Sequence, residues 1–349
     1  MVDCEMMVKD IYDVPQGVRN GHSPDSEDQV MQRAQALVKR QLAEVERTLR
    51  HLPDLHPLAL RGAVEQIVAS GGKRIRPVIA LLIAGMFDRL DDPRAVNLAS
   101  AVEMLHTATL VHDDLIDGSL IRRGTATLNA VWTPAATVLT GDYLFAMAAN
   151  LAARANNVRV MSIFADTLGV IVAGELQQQF ADFGLRATRE DYYRRIYSKT
   201  ASMFVLAATA SGELCGADEA QRIALDSYGR NLGMAFQVVD DVLDFTGEQD
   251  NVGKPVGSDL RRGLITLPTI CYIESYGTDS LECALRGECD PQTYDRIVAQ
   301  IRASSAIPRA IREAEAMVQA AKDALSAFVD SPYRAALAEL ADYALERTH

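Results

Sequence analysis

Hydrophobic positions recur at three- and four-residue steps through most of the chain. Val30, Ala34, Leu37, Val38, Leu42, Val45 and Leu49 follow that spacing with charges between them, which predicts an amphipathic helix from about Asp28 to just before Pro53. A second helix is expected from about Pro57 to Ser70. The run VIALLIAGMF after Pro77 is apolar on every side and predicts a deeply buried helix. Over 94–117, Leu98, Ala101, Val102, Leu105, Ala108, Thr109 and Asp113 share one helical face, which runs from an apolar floor to a charged rim. After a loop at 124–134, GDYLFAMAANLAAR re-enters helix, and VIVAGELQQQF lies in another over 160–180. A helix over 188–216 opens at TREDYY, where Thr188 can cap and Glu190 and Asp191 suit the N-terminal dipole. Beyond Leu267 further amphipathic helices follow, interrupted near 277–291.

No proline stands between Pro134 and Pro255, so nothing there marks a linker. The pattern predicts an all-α chain, with one helical domain over 28–349. Residues 1–27 mix Pro15, Gly17, Gly21, Ser23 and Pro24 with acids and read as a flexible N-terminal extension. Composition agrees: 48% apolar and only 6% aromatic residues suit a large helical core better than a β-sandwich. A net charge of −12 argues against a nucleic-acid surface. The cysteines, Cys4, Cys215, Cys271, Cys283 and Cys289, form no CxxC pair, which argues for a reducing compartment and against a zinc site. There is no signal-peptide pattern and no apolar run that approaches 18 uncharged residues. A cytoplasmic protein without a transmembrane segment is expected.

The chemistry concentrates in two acidic stretches. LVHDDLIDGSLIRRG (110–124) carries Asp113, Asp114 and Asp117, with Arg122 and Arg123 just behind; GMAFQVVDDVLDFTG (233–247) carries Asp240, Asp241 and Asp244. In each, the first and last aspartates are four apart and project from one helical face. Two like charges ~4 Å apart at an effective dielectric of ~20 repel by roughly 4 kcal/mol, so a cation is the natural compensation. One such cluster could be a solvated face; two DDxxD copies in otherwise apolar helices are hard to explain that way. The turn GGKRIRP (71–77) sets Lys73, Arg74 and Arg76 before a buried helix, facing a pocket more readily than open water. His106 sits in the first acidic helix, where a packed core histidine is the plainer reading, and His112 still more so. Lys199, beside Thr200 in SKTASMF, reads either as a snorkelling surface lysine or as part of a site. Carboxylates of this kind suit oxygen-loving Mg²⁺, which completes its shell with water and substrate phosphates, and the basic residues suit diphosphate oxygens.

Together GGKRIRP, LVHDDLIDGSLIRRG, GDYLFA, AGELQQ, YSKTASMF, GMAFQVVDDVLDFTG and GKPVGSDL resemble, in order, the motifs of the trans-isoprenyl diphosphate synthases, the polyprenyl synthetase family. The resemblance covers roughly residues 40–345. It implies an isoprenoid-synthase-type bundle of antiparallel helices around a central cavity, a homodimer, and Mg²⁺-dependent condensation of isopentenyl diphosphate with an allylic diphosphate, with three ions when substrate is bound. Asp113 and Asp117 would then hold Mg²⁺ on the allylic diphosphate with Asp114 in support, and Asp240 a further ion with Asp241 and Asp244 near or acting through water. Lys73, Arg76, His106 and Arg123 would hold isopentenyl diphosphate, and Arg122, Lys199 and Lys254 the allylic diphosphate. Thr200 and Gln237 would turn their dipoles toward the allylic cation. Released diphosphate can take the final proton, so no protein base is nominated. Two positions depart from the pattern: Gly118, where many relatives carry an acidic or small polar residue, and Leu264, where short-chain relatives often have lysine.

Product length is argued from the first acidic helix. Thr109 and Ala108 stand four and five residues before Asp113, where short-chain relatives have bulky aromatics, so the floor is expected to be open. Ala101 to Asp113 spans about 18 Å at 1.5 Å per residue, room for several isoprene units, and a product longer than C20 is expected. The alternatives are a geranylgeranyl diphosphate synthase closed deeper down by Leu105, Met104 or a residue near Val172, a terpene cyclase, or a non-catalytic subunit of a heteromer.

Overall fold

The computed structural model describes residues 27–51, 58–69, 71–122, 124–180, 188–247 and 256–346. The first periodic run forms two helices rather than one, α1 (Glu27–Leu37) and α2 (Lys39–Arg50), separated at Val38. Val38 itself is fully buried, so the apolar spacing continues across a break that it does not mark. Then come α3 (Leu58–Ala69), α4 (Ile75–Met86) and α5 (Pro93–Ile116), close to expectation. Asp92 caps α5 by accepting from the Arg94 amide, and Pro93 sits in its first turn. A short hairpin, β1 (Ile121–Arg122) with β2 (Thr125–Ala126), is the only sheet among the described residues. After α6 (Leu128–Val131) come α7 (Pro134–Ala153) and α8 (Val158–Phe180). The chain is all-α, as its periodicity predicts.

The helix expected over 188–216 is interrupted. It divides into α9 (Arg189–Ile196), a π-helical turn at Tyr197–Ala201, and α10 (Ser202–Cys215). Thr188 and Asp191 form the reciprocal capping box that opens α9. The wide turn presents Lys199 and Thr200, a location typical of π-bulges at working sites. Two glycines let neighbours close around it: a Cβ on Gly174 of α8 would lie 2.2 Å from Ser198 Oγ, and one on Gly233 would lie 2.5 Å from Ala201 Cα. Gly233 belongs to α11 (Glu219–Thr246), the longest helix described. The rest comprises α12 (Ser258–Arg261), α13 (Leu267–Tyr276), α14 (Glu282–Leu285), α15 (Pro291–Ala303), α16 (Ala306–Ala324) and α17 (Pro332–Glu346).

Buried side chains from Val30 to Ala344 form one connected core. In it α5 packs on α4, α7 and α10, while α11 packs on α10, α16 and α17. Pro77–Gly85 of α4 is buried on all sides, each large aliphatic residue stabilising the fold by about 1.5–3 kcal/mol relative to exposure.

One expectation needs correction. Cys283 and Cys289 form a disulfide, their Cα atoms 5.1 Å apart, where the scattered cysteines had argued for a reducing compartment. The chain reverses just past α14, with Gly287 in the left-handed region, and this local return, absent from any metal-type spacing, brings them together. Cys215 and Cys271 are free. Among the described residues α8 is the one helix long and apolar enough to cross a membrane by length and composition alone. It nevertheless carries Arg159, Asp166 and Glu175, and Glu175 is used in the site described next. The expected extension, up to residue 26, lies outside the described residues.

Candidate active site

The GGKRIRP turn does not act as one basic patch. Arg74 takes a left-handed backbone (φ 52°) and turns inward, its guanidinium bonded to Glu46 Oε1 at 2.6 Å, Glu103 Oε1 at 2.9 Å and the Val68 carbonyl at 2.9 Å. Burial works to lower its pKa, but the two glutamates outweigh it and hold the charge more firmly. Arg74 therefore serves as the anchor that fixes the turn. Lys73 and Arg76 are left beside the cavity: the Lys73 ammonium donates to the Tyr343 hydroxyl of α17, and Arg76 stacks over Phe204, 4.7 Å from the ring centre.

A cavity of about 690 Å³ opens between this turn, the C-terminal half of α5, the π turn and the C-terminal half of α11. Lys73, Arg76, His106, Thr109, Asp113, Asp117, Arg122, Lys199, Thr200, Gln237 and Asp240 all line it. Residues far apart in sequence, from the 71–77 turn to Asp240, thus meet around one space. Lys199 Nζ lies 2.9 Å from Glu175 and 3.8 Å from Asp113. Burial is the main cause that pushes Asp113 up to about 6; Lys199 pulls the other way, while Glu175 and Asp117 add to the rise. For Lys199 burial acts to lower the pKa, yet Asp113 and Glu175 prevail and raise it. Glu175, nearer to the ammonium, takes the larger share of the lysine and leaves Asp113 in want of a cation.

The remaining aspartates hold the walls together. Asp114 accepts from Arg122 at 2.8 Å. Asp241 is buried beneath the floor, accepting from Tyr192 Oη at 2.7 Å and from Gln237 Nε2 at 2.9 Å, and burial pushes it up to about 7. With its Nε2 donated to that carboxylate, Gln237 presents Oε1 to the Thr200 hydroxyl at 2.6 Å. Two oxygen dipoles are therefore grouped at the cavity wall. Asp244 accepts from the Ser258 amide and hydroxyl and from the Asp259 amide, at 2.7–3.1 Å, so it fastens the start of α12 to α11.

Some expectations fall elsewhere. Leu105 and Ala108 are fully buried and do not line the cavity. At about 100° per residue, Ala108 is turned from the Thr109 direction into the packing of α5, so of the three floor candidates only Thr109 faces the space. Arg123 and Lys254 lie outside the described residues. His112 is turned to α7, where its Nε2 meets the Val138 carbonyl at 3.1 Å, a packing role. Sequence reasoning missed Glu175, Tyr192 and Phe236, while Arg262 stood in view with Lys254, Asp259 and Arg261 just downstream of the second acidic stretch, without an assigned role. Glu175 lay within the quoted AGELQQ motif; nothing in local spacing pointed to Tyr192.

Comparison with known proteins settles the family. The polyprenyl synthetase family model matches residues 57–301. The chain belongs to that family. It is 38% identical to an octaprenyl diphosphate synthase of Haemophilus influenzae over 287 residues, covering 81% of this chain and 87% of that one. It is 33% identical to component 2 of a heptaprenyl diphosphate synthase of Bacillus subtilis, covering 86% and 85%. The crystal structure of a polyprenyl synthase from Caulobacter crescentus, complexed with calcium and isoprenyl diphosphate, superposes with a TM-score of 0.84 at 35% identity, covering 91% of this chain and 98% of that one.

Proposed function

We propose that this polyprenyl synthetase is a trans-prenyltransferase that joins isopentenyl diphosphate head to tail onto an allylic diphosphate and releases an all-trans polyprenyl diphosphate longer than C20. One observation carries the reading: Asp113 on α5, Asp117 at its C-terminal cap and Asp240 on α11 line a single cavity with Lys73, Arg76 and Lys199, and the Thr200–Gln237 oxygen pair stands in its wall. Family membership supports the reaction class, and the octaprenyl and heptaprenyl relatives support the length.

The donor set fits Mg²⁺. Among the described residues no three His, Cys, Asp or Glu side chains form a ready-made cage. Instead, carboxylates on two walls of one cavity suit ions that take one or two carboxylates each and fill their shells with water and substrate phosphate. Asp113, Asp117 and Asp240 would hold Mg²⁺, three ions with substrate bound, while Asp114, Asp241 and Asp244 support them. Mg²⁺ held there would supply the charge neutralisation that makes the allylic diphosphate a better leaving group.

The protein's own groups do the rest. Lys199, with Arg122, Lys254 and the metal-holding aspartates, orients the allylic diphosphate. Lys73, Arg76, His106 and Arg123 hold isopentenyl diphosphate on the other side. The lone pairs of Thr200 and Gln237 face positive charge as it develops at the allylic carbon, where a fixed dipole acts most strongly away from water. Departing diphosphate takes the proton lost when the new double bond forms. Residues 28–349 would act as one domain, in a cytoplasmic homodimer.

Purified protein with Mg²⁺, labelled isopentenyl diphosphate and, separately, dimethylallyl, geranyl, farnesyl or geranylgeranyl diphosphate tests the reading. Chromatography of the dephosphorylated products is expected to show chains beyond C20. A sharp stop at C20 overturns the proposed length, and no incorporation from any primer overturns the activity of the chain alone.

A further inference from the structure

One cation of the site belongs to no motif named above. Arg262 stands at the end of α12, just before Gly263, whose φ of 77° turns the chain. Its neighbour Arg261 points away, paired with Asp295 at 2.5 Å and lying 5.4 Å from the Tyr294 ring centre. Arg262 reaches in the opposite sense, its guanidinium 2.7 Å from Asp117 Oδ1. The two side chains are 42% and 27% exposed, so water screens their pairing and it is readily exchanged. Asp244 holds the segment in place through Ser258 and Asp259. Arg195, Lys199 and Arg262 line a recess of about 150 Å³ together with Leu264 and the carboxylates of Asp117, Asp241 and Asp259. An anion entering it would lie between a guanidinium and an ammonium.

We infer that Arg262 is a diphosphate ligand that is parked on Asp117 until metal arrives. This rests on the proposed function, because it takes the recess to receive a metal-bound diphosphate. In the metal-free protein Arg262 neutralises Asp117. Mg²⁺ competes for that carboxylate, and the freed guanidinium is then placed to take phosphate oxygens, for which its planar fork is well matched. Leu264 brings no charge to the same recess, so on this loop Arg262 is the cation that faces the ligand.

Calorimetric titration separates this from a merely structural pair. The unaltered chain, Arg262→Ala and Arg262→Ala/Leu264→Lys are each titrated with Mg²⁺ alone, then with inorganic pyrophosphate in excess Mg²⁺. Removing Arg262 is expected to tighten Mg²⁺ binding a few-fold, because its competitor is gone, and to weaken pyrophosphate about tenfold. Lysine at 264 is expected to recover part of that loss, since it returns a charge to the recess. If both ligands bind tighter to Arg262→Ala, Arg262 only competes with metal, and the inference is wrong. Unchanged affinities overturn it equally. Should the unaltered chain bind no pyrophosphate with Mg²⁺ present, the proposed function itself fails, a result distinct from any difference among the three proteins.

Discussion

Asp241 shows how one residue can serve a site at a cost to the fold. Its carboxyl is buried and pushed up to about 7, against about 3.9 in an unfolded chain. The folded protein thus holds this proton more tightly than the unfolded chain. Stability from this group is full below about pH 4 and is lost as pH rises to about 7, by the linkage of proton binding to folding, a few kcal/mol in all on the order of magnitude such burial allows. Replacing Asp241 by Asn removes the ionisation and keeps the shape. Metal-free Asp241→Asn is therefore expected to melt higher than the unaltered chain at pH 8, with little difference at pH 4; equal melting temperatures at pH 8 would count against a buried carboxylate. Thr109 yields a second prediction. It alone of the floor candidates lines the cavity, so Thr109→Phe should shorten the products without abolishing turnover, while an unchanged product distribution would place the floor elsewhere. The sequence made the six aspartates and the basic turn visible, because charge in an apolar helix is conspicuous. It could not show that Arg74 is an internal anchor, since its partners Glu46 and Glu103 come from α2 and α5.

At the scale of elements, periodicity located the helices closely and failed where a helix changes character without changing pattern. Although the π turn at Tyr197–Ala201 is polar in sequence, Ser198, Thr200 and Ala201 stay buried, so burial runs through it unbroken. Nothing in the apolar spacing announces the division at Val38 either. The π turn is held from two sides by close backbone approach, which gives a test. A Cβ on Gly233 would lie 2.5 Å from Ala201 Cα and 2.9 Å from its Cβ, and backbone yields poorly to such contact. Gly233→Ala should destabilise the protein by about 1–3 kcal/mol, the usual cost of overpacking. It should also lower kcat, because Gln237 lies one turn further along α11 and would move with it. Melting and steady-state kinetics measure both; an alanine that leaves both unaltered would mean that α11 and the π turn are not in tight register.

At the scale of the whole molecule, the open question is what covers α8. Val172, Leu176 and Phe180 recur at four-residue steps and are 46%, 51% and 84% exposed, and Leu139 on neighbouring α7 is 67% exposed. A water-facing stripe of this kind is what an oligomer buries. Its position bears on catalysis, because Glu175, which holds Lys199, and Gly174, which admits the π turn, stand on the same helix. A second copy packed on α8 would restrain the helix that supports the allylic side of the cavity. Val172→Asp places a charge in the stripe without touching any cavity residue. Light scattering is expected to give a dimer for the unaltered chain and a monomer for the variant, with helical circular dichroism retained. Activity of the monomer should fall as Lys199 loses a firm partner. A dimer that survives the substitution would move the interface off this face. A chain that is monomeric from the outset and inactive alone would favour a heteromer, an arrangement for which its likeness to a named second component of a heptaprenyl synthase gives reason to look.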